Sequence, residues 1–351
     1  MADFREILHR LHEYCAARQW TGYDPYDALN APVARWLPGR WARQAWTQLH
    51  RRSPVNLRPL CGIAPTLNAK AVALFALGSR DPKLLALLES LRNPDGGWGY
   101  PFPWQSRAFY APPGTSNLVC TVLAAKAFLN CHPERSEGSQ SLPGNATEIL
   151  RSAQNDKLIE GAKQYIEKHL LRDGWITYTA GTDTQIHNVN LMGAALLGRR
   201  DLAEFSVRRQ RADGSWWYGE AANQHWIDNF HTGYCLVALR ELGGFDDAAR
   251  RGFAYWARTF WADDGAPRYY PDRPYPQDVH CCAQGVLTFL AFGQPDRAAR
   301  VARWAVDHLW DARGFFWHQR GRWVTNRLSY MRWGQAWMYY ALSKLNAAEF
   351  S

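Results

Sequence analysis

Asp228-x-x-His231 and Asp278-x-His280 each place an aspartate within one helical turn of a histidine, just ahead of an apolar segment. Carboxylate and imidazole together move protons near neutral pH: the carboxylate fixes the ring and its tautomer, and the other ring nitrogen serves as a base. Glu220 and Tyr330 stand in comparable positions and add a carboxylate and a phenol. Two reactions fit this set. Glycoside hydrolysis needs two opposed carboxylates, for which Asp228 with Asp278 or Glu220 is the available pair. Lyase or C5-epimerase chemistry needs a base beside a neutralised carboxylate, a role open to His231, His280 and Tyr330.

The same stretches are rich in groups that hold sugars and anions. Arg58, Arg107 and Arg332 can grip a uronate carboxylate or a phosphate through the guanidinium fork. Trp104, Trp226 and Trp333 offer flat faces on which sugar rings stack. Around them stand Tyr23, Asp24, Gln105, His187, Asn188, Asn190, Trp217, Tyr269, Asp272 and Asn326 as further binding candidates. Each has a plainer alternative: Asp228, Asp278 and Asn117 are also suitable helix N-caps. Asp278-x-His280 followed by Cys281 and Cys282 hints at zinc, but without a CxxC or HxxxH pair no metal is expected, nor any cofactor.

These residues recur in an order that implies a fold. Six polar motifs, beginning at Thr66, Gly114, His187, Asp228, Asp278 and Tyr330, each precede an apolar helical segment. Those segments (68–77, 117–129, 190–197, 232–242, 281–292, 334–345) are apolar all round, as inner helices are. Between them run amphipathic segments (4–18, 82–91, 157–171, 201–210, 246–259, 296–310), as outer helices should. A two-helix unit repeating at 40–50 residues predicts a closed ring, an all-α (α/α)6 toroid forming one domain over 1–351. Turns at Asp95-Gly96, Asp173-Gly174, Asp213-Gly214, Asp264-Gly265 and Asp311–Gly314 follow the outer helices. The inner helices should start on one face, where unpaired N–H groups and positive dipole ends would favour anions.

One interval is too long, and the cause is a polar stretch at 131–156 without helical periodicity, expected to be an exposed, mobile insert irrelevant to activity. The +9 charge suits an anionic partner, but the basic residues form no block, so no nucleic acid is expected. Apolar runs are too short to span a bilayer and the N-terminus lacks a signal core, so a cytoplasmic location is expected.

The chain generally resembles six-hairpin glycosidases, polysaccharide lyases and terpenoid-cyclase/prenyltransferase toroids. Gln210-x-x-x-Gly214-x-Trp216 matches the glutamine–tryptophan repeat of squalene cyclases, but their DxDD motif is missing. More specifically, the stretches YDPYDALNAP, WQSRAFYAPPGT, HNVNLMGAALL, WIDNFHTGY and TNRLSYMRWGQAW look like those of VpsJ-type bacterial polysaccharide biosynthesis proteins. That resemblance implies work on a capsule or exopolysaccharide and implies no catalytic residue. Together the expectations are an enzyme acting on an acidic oligo- or polysaccharide or its lipid-linked precursor, with a non-catalytic glycan-binding scaffold as the alternative and a terpenoid cyclase as a more distant one.

Overall fold

The structure, a computed structural model, describes residues 3–107, 109–130 and 146–348. Its helices are α1 (Phe4–Ala16), α2 (Gly39–Arg52), α3 (Ala69–Ser79), α4 (Pro82–Ser90), α5 (Leu118–Asn130), α6 (Ala146–Tyr165), α7 (His187–Leu197), α8 (Arg200–Val207), α9 (Asn229–Leu242), α10 (Asp246–Thr259), α11 (Val279–Ala291), α12 (Pro295–Leu309) and α13 (Ala336–Ala348). Helices α3, α5, α7, α9, α11 and α13 pack side by side in that order, and α13 returns against α3. The ring is closed. Each inner helix carries an outer one on its back, and the last, α13, is covered by α1 from the other end of the chain.

Sequence dictates the two layers. Helix α3 buries every residue from Ala69 to Leu77, because small and apolar side chains meet protein on all sides. Helix α1 buries only Phe4, Ile7, Leu11 and Cys15, an i, i+3, i+4 stripe. Burying each large apolar side chain of that kind contributes about 1.5–3 kcal/mol.

The turns after the outer helices are structural. Gly96, Gly174, Gly214, Gly265 and Gly314 all take φ between +83° and +95°, a region closed to most side chains. Trp98 and Trp216, two residues on, are buried and donate from Nε1 to outer-helix carbonyls, Leu88 O at 2.8 Å and Ser206 O at 2.9 Å.

Four residues after each of these glycines stands an aromatic: Tyr100, Tyr178, Tyr218, Tyr269 and His318. The carbonyls of four of them accept the first N–H of the preceding inner helix: Leu118 N to Tyr178 O (2.9 Å), His187 N to Tyr218 O (3.1 Å), Asn229 N to Tyr269 O (3.1 Å) and Val279 N to His318 O (3.1 Å). Met331 N to Tyr23 O, at 3.1 Å, continues the series across the seam. The expected face of unpaired N–H groups is thus partly satisfied by the next unit, and these bonds knit the mouth into a continuous rim.

Two features depart from the sequence reading. Residues 146–156, expected within the insert, form the first half of α6; Ala146, Glu148, Leu150, Arg151, Ala153 and Gln154 are good helix formers, and no Gly or Pro interrupts the extension of the outer helix. Residues 131–145 of that expected insert lie outside the described residues. The other departure is α2, an extra helix between α1 and α3 that belongs to neither layer. Its segment has a small core of its own, Leu29, Ala31, Ala34 and Ile63, against which Trp46 packs.

Candidate functional site

The inner-helix N-termini and the loops before them enclose a cavity of about 950 Å³, with α2 along one wall. Asp228 caps α9 through Oδ1, which accepts His231 N at 3.0 Å. Its Oδ2 accepts Trp226 Nε1 at 3.0 Å and His231 Nδ1 at 2.7 Å. The carboxylate is buried, whereas the His231 side chain keeps 24% of its surface open and lines the cavity. With Nδ1–H assigned to Asp228, Nε2 carries the lone pair and has no protein partner among the described residues. This is a carboxylate-oriented imidazole turned toward a cavity, the arrangement a general base requires.

The second pair is built differently. Asp278 Oδ1 accepts His280 N and Trp333 Nε1, both at 2.9 Å, but Asp278 is fully buried and absent from the cavity wall. Burial pushes its carboxyl up to about 6, against the hydrogen bonds from His280 and Trp333. Oδ2 lies 3.4 Å from His318 Nε2, too long and poorly aligned for a hydrogen bond, and both atoms are unsatisfied. His280 lines the cavity floor and shares a short hydrogen bond with Tyr234 Oη through Nε2. Burial, then the charges of Lys70, Arg332 and His231, hold its pKa well below the usual histidine value, so it is neutral.

Other expected groups are spent elsewhere. Glu220 accepts His187 Nε2 at 2.8 Å and pairs with Arg209 at 3.3 Å, outside the cavity. The His187 bond, against partial burial, lowers the Glu220 carboxyl. His187 points outward because its Nδ1 reaches Ser206 Oγ on α8 at 3.2 Å. Asn190 is saturated by Ile176 N, Leu202 O and Ser206 Oγ. Arg58 is fully buried and donates to Asp27 Oδ1 at 2.6 Å, Tyr330 Oη at 3.0 Å and Asp24 O at 2.6 Å. That bundle removes Tyr330, whose hydroxyl burial pushes up to about 12, from any acid–base role at the cavity. Asn326 ties Ser53 O to Leu328 N, and Trp217 stacks on His225. Tyr23 belongs with Tyr330 to a separate recess at the seam.

The binding candidates on the cavity wall are Trp104, Gln105, Arg107, Asn188, Trp226, Tyr269, Asp272, Arg332 and Trp333. Arg332 is held by both Asp24 oxygens, at 2.5 and 2.7 Å, so Asp24 positions it from behind the wall. Arg107 lies 4.9 Å over the Trp226 ring, and Trp226 stacks on Tyr218 with centroids 4.4 Å apart. Asn188 Oδ1 is buried without a partner. Among the described residues, no three His, Cys, Asp or Glu side chains converge as a metal site.

Sequence reasoning missed several wall residues. Lys70 is 4% exposed, makes no ion pair among the described residues, and sits 5.7 Å from the Tyr234 ring and 5.1 Å from the Trp337 ring. Burial, aided by Arg332, brings its ammonium down to about 7. Arg51 on α2 donates to Tyr269 Oη at 3.1 Å. Tyr100, Tyr178 and Tyr218 complete an aromatic belt with Tyr269. The glycine-plus-four spacing is the signal that would have set the other three beside Tyr269. Cations outnumber carboxylates on the wall: Arg40, Arg51, Arg52, Lys70, Arg107, Arg273 and Arg332 against Asp228 and Asp272.

No known family and no curated protein matches the chain in sequence. Solved structures do match in shape. PssZ from Listeria monocytogenes, 12% identical, aligns over 80% of this chain and 86% of its own with a TM-score of 0.53. An unsaturated glucuronyl hydrolase from Bacillus sp. GL1, 15% identical, aligns over 80% and 86% with a TM-score of 0.52. The type II terpene cyclase MstE from Scytonema, 15% identical, aligns over 81% and 88% with a TM-score of 0.51. At such identities the likeness establishes the all-α toroid and nothing finer.

Proposed function

We propose that the protein is a carbohydrate-active enzyme that abstracts a proton beside the carboxylate of an acidic glycan, giving β-elimination or C5 epimerisation. The observation that carries this reading is the Asp228–His231 dyad, facing a cavity whose cations exceed its carboxylates. His231 Nε2 would take the C5 proton, and the resulting charge would spread into the uronate carboxylate. Lys70 and Arg51, neither bound to a carboxylate among the described residues, are placed to neutralise that charge. Tyr234, hydrogen-bonded to neutral His280, is the candidate acid for the leaving oxygen or for reprotonation. Trp104 and Trp226 would stack the sugar rings.

Hydrolysis by paired carboxylates has less support. Besides Asp228, the only carboxylate on the described wall is Asp272, at the exposed rim and paired with Arg273 at 2.9 Å. The aromatic belt would suit a carbocation, and MstE is a terpene cyclase; Arg40, Arg51, Arg52 and Arg107, none paired with a carboxylate among the described residues, oppose that charge. The unsaturated glucuronyl hydrolase neighbour is by its name responsible for glycosaminoglycan degradation, which favours an acidic glycan, and the VpsJ-type resemblance favours a surface polysaccharide. The test is incubation with polyuronates and acidic capsular polysaccharides. Ultraviolet-absorbing 4,5-unsaturated ends, or C5 inversion seen by NMR with solvent deuterium uptake, are expected. New reducing ends without unsaturation would instead indicate hydrolysis, and glycan binding without turnover would indicate a scaffold.

A further inference from the structure

Exposed large apolar side chains are not scattered over this molecule. Among the described residues they are Val33, Trp36, Trp41, Leu49, Val55 and Leu60, then Tyr110, then Trp323 and Val324. The first six belong to the α2 segment between α1 and α3. Tyr110 belongs to the loop beneath it, joined by Arg43, whose guanidinium lies 4.7 Å over the Tyr110 ring, and by Gln44 Nε2 to Ser106 O at 2.8 Å. Trp323 and Val324 form the tip of a hairpin attached to the end of α2 by Asn326 Nδ2 to Ser53 O at 2.9 Å. The set therefore gathers on the α2 segment, which walls one side of the cavity, and on the two loops joined to it.

Helix α2 shows how this face is made. Trp41, Ala45 and Leu49 form an outward stripe at i, i+4 and i+8, all exposed, with Trp41 also at the edge of the cavity. Its inward positions, Thr47 and His50, are buried. An apolar stripe turned to solvent, with Trp36, Trp41 and Trp323 at 74%, 73% and 84% exposure, is the reverse of normal helix burial. Charge adds the second constraint. Residues 28–65 carry six arginines and no acid, with Arg35, Arg40 and Arg52 exposed, and the hairpin 319–327 carries three more and no acid, with Arg322 and Arg327 exposed.

We infer that the mouth face docks on an anionic membrane surface, with the exposed tryptophans in the interfacial layer and the arginines against lipid phosphates. Tryptophan and arginine together suit that layer, since one inserts a flat apolar ring and the other meets anionic headgroups. A second copy is a poor occupant, because an isologous pairing would set this acid-free arginine face against itself. Nucleic acid would answer the charge but leave the Trp41–Leu49 stripe in water. Docking in this way turns the cavity toward membrane-borne material, which gives access to a lipid-linked glycan. It rests on the outer face and not on the dyad, so it stands or falls apart from the proposed reaction.

Co-sedimentation with phosphatidylcholine vesicles, with and without phosphatidylglycerol, tests it. The protein should pellet with the phosphatidylglycerol vesicles, at least about tenfold more weakly with phosphatidylcholine alone, and less as salt rises. The variant Trp36→Ser/Leu49→Ser/Trp323→Ser alters no cavity residue and should lose at least about tenfold in partitioning with its melting temperature unchanged. Equal partitioning of variant and parent, or no binding to either vesicle, overturns docking. A dimer that the triple variant converts to monomer overturns it in favour of a second copy.

Discussion

At the start of α9 and again at the start of α11, an aspartate caps the helix and a histidine follows in the first turn. In the first pair the spacing is i+3, so the imidazole lies over the capping carboxylate and Nδ1 reaches Asp228 Oδ2 at 2.7 Å. In the second the spacing is i+2, so His280 turns away and finds Tyr234 instead. Asp228 is saturated and His231 keeps a free nitrogen at the cavity; Asp278 keeps an unsatisfied oxygen behind the wall, and His280 keeps a buried unpaired Nδ1. One residue of spacing separates a dyad fit for proton transfer from a cap and a neutral floor residue.

The largest expected effect tests that contrast directly. His231→Ala removes the base and should lower kcat by about 10²–10⁴-fold. Asp228→Asn keeps an oxygen to cap α9 but loses the charge that orients the ring, and it should cost a comparable factor. His231→Ala should not move the melting temperature far, since His231 is partly open, whereas Asp228→Asn keeps the cap but sets its amide N–H against the Trp226 and His231 donors and should cost about 1–3 kcal/mol of stability. Asp278→Asn should leave kcat within about threefold, the loose end of what a group one layer behind the wall can cause. Steady-state turnover of the three variants decides it: an Asp278→Asn loss as large as the Asp228→Asn loss would erase the distinction.

Much of this was legible in the sequence, for reasons particular residues make plain. Helices α3 and α11 are so uniformly apolar that no outer position suits them, and Gly96 to Gly314 mark the turns between layers. Helix α2 was not legible because its apolar residues split between an outward stripe and Trp46 on a small separate core, so no single stripe toward the ring exists. The site was half legible. Asp228 and His231 are local, three residues apart, whereas Arg58, Glu220 and Tyr330 are fixed by partners 272, 33 and 272 residues away. Lys70 was hidden by its setting: one lysine in the first turn of an apolar helix gives no sign that its amine reaches Tyr234 across the ring.

Lys70 supplies the next comparison, between a cation that is already paired and one that is not. Arg332 is clamped by Asp24, so its charge is largely answered before substrate arrives. Lys70 has no such partner, and burial brings it down to about 7. If its ammonium binds the substrate anion, KM in the parent should climb as pH rises through about 7, because the amine then loses its charge. Lys70→Met keeps the stem and should raise KM about ten- to a hundredfold below that pH, corresponding to about 1.4–2.7 kcal/mol, and flatten the pH dependence. Removing a buried, unanswered charge should hold or raise the melting temperature. A variant that loses stability while keeping its KM profile would make Lys70 a packing residue.

The smallest effect concerns stability alone and returns to Asp278. Its folded carboxyl titrates near 6, above the 3.8 of an unstrained aspartate, because burial disfavours the charged form. A raised acid binds its proton more tightly in the folded state, so its contribution is complete at low pH and is lost as pH climbs from about 4 through about 6. Asp278→Asn abolishes that titration. The amide oxygen still accepts from His280 N and Trp333 Nε1, and the amide nitrogen can donate to His318 Nε2, which lies 3.4 Å from the present Oδ2. Relative to the parent, the variant should therefore gain about 1–3 kcal/mol between about pH 4 and about pH 7.5. Each tenfold rise in the folded carboxyl's proton affinity is worth roughly 1.4 kcal/mol, and the range allows for relaxation of the surroundings. Asp228→Asn should gain nothing at either pH, because its amide replaces an oxygen that accepts from Trp226 and His231 with a donor. Denaturant unfolding at the two pH values measures both, and a gain at Asp228 equal to that at Asp278 would mean that burial, not pairing, governs both caps.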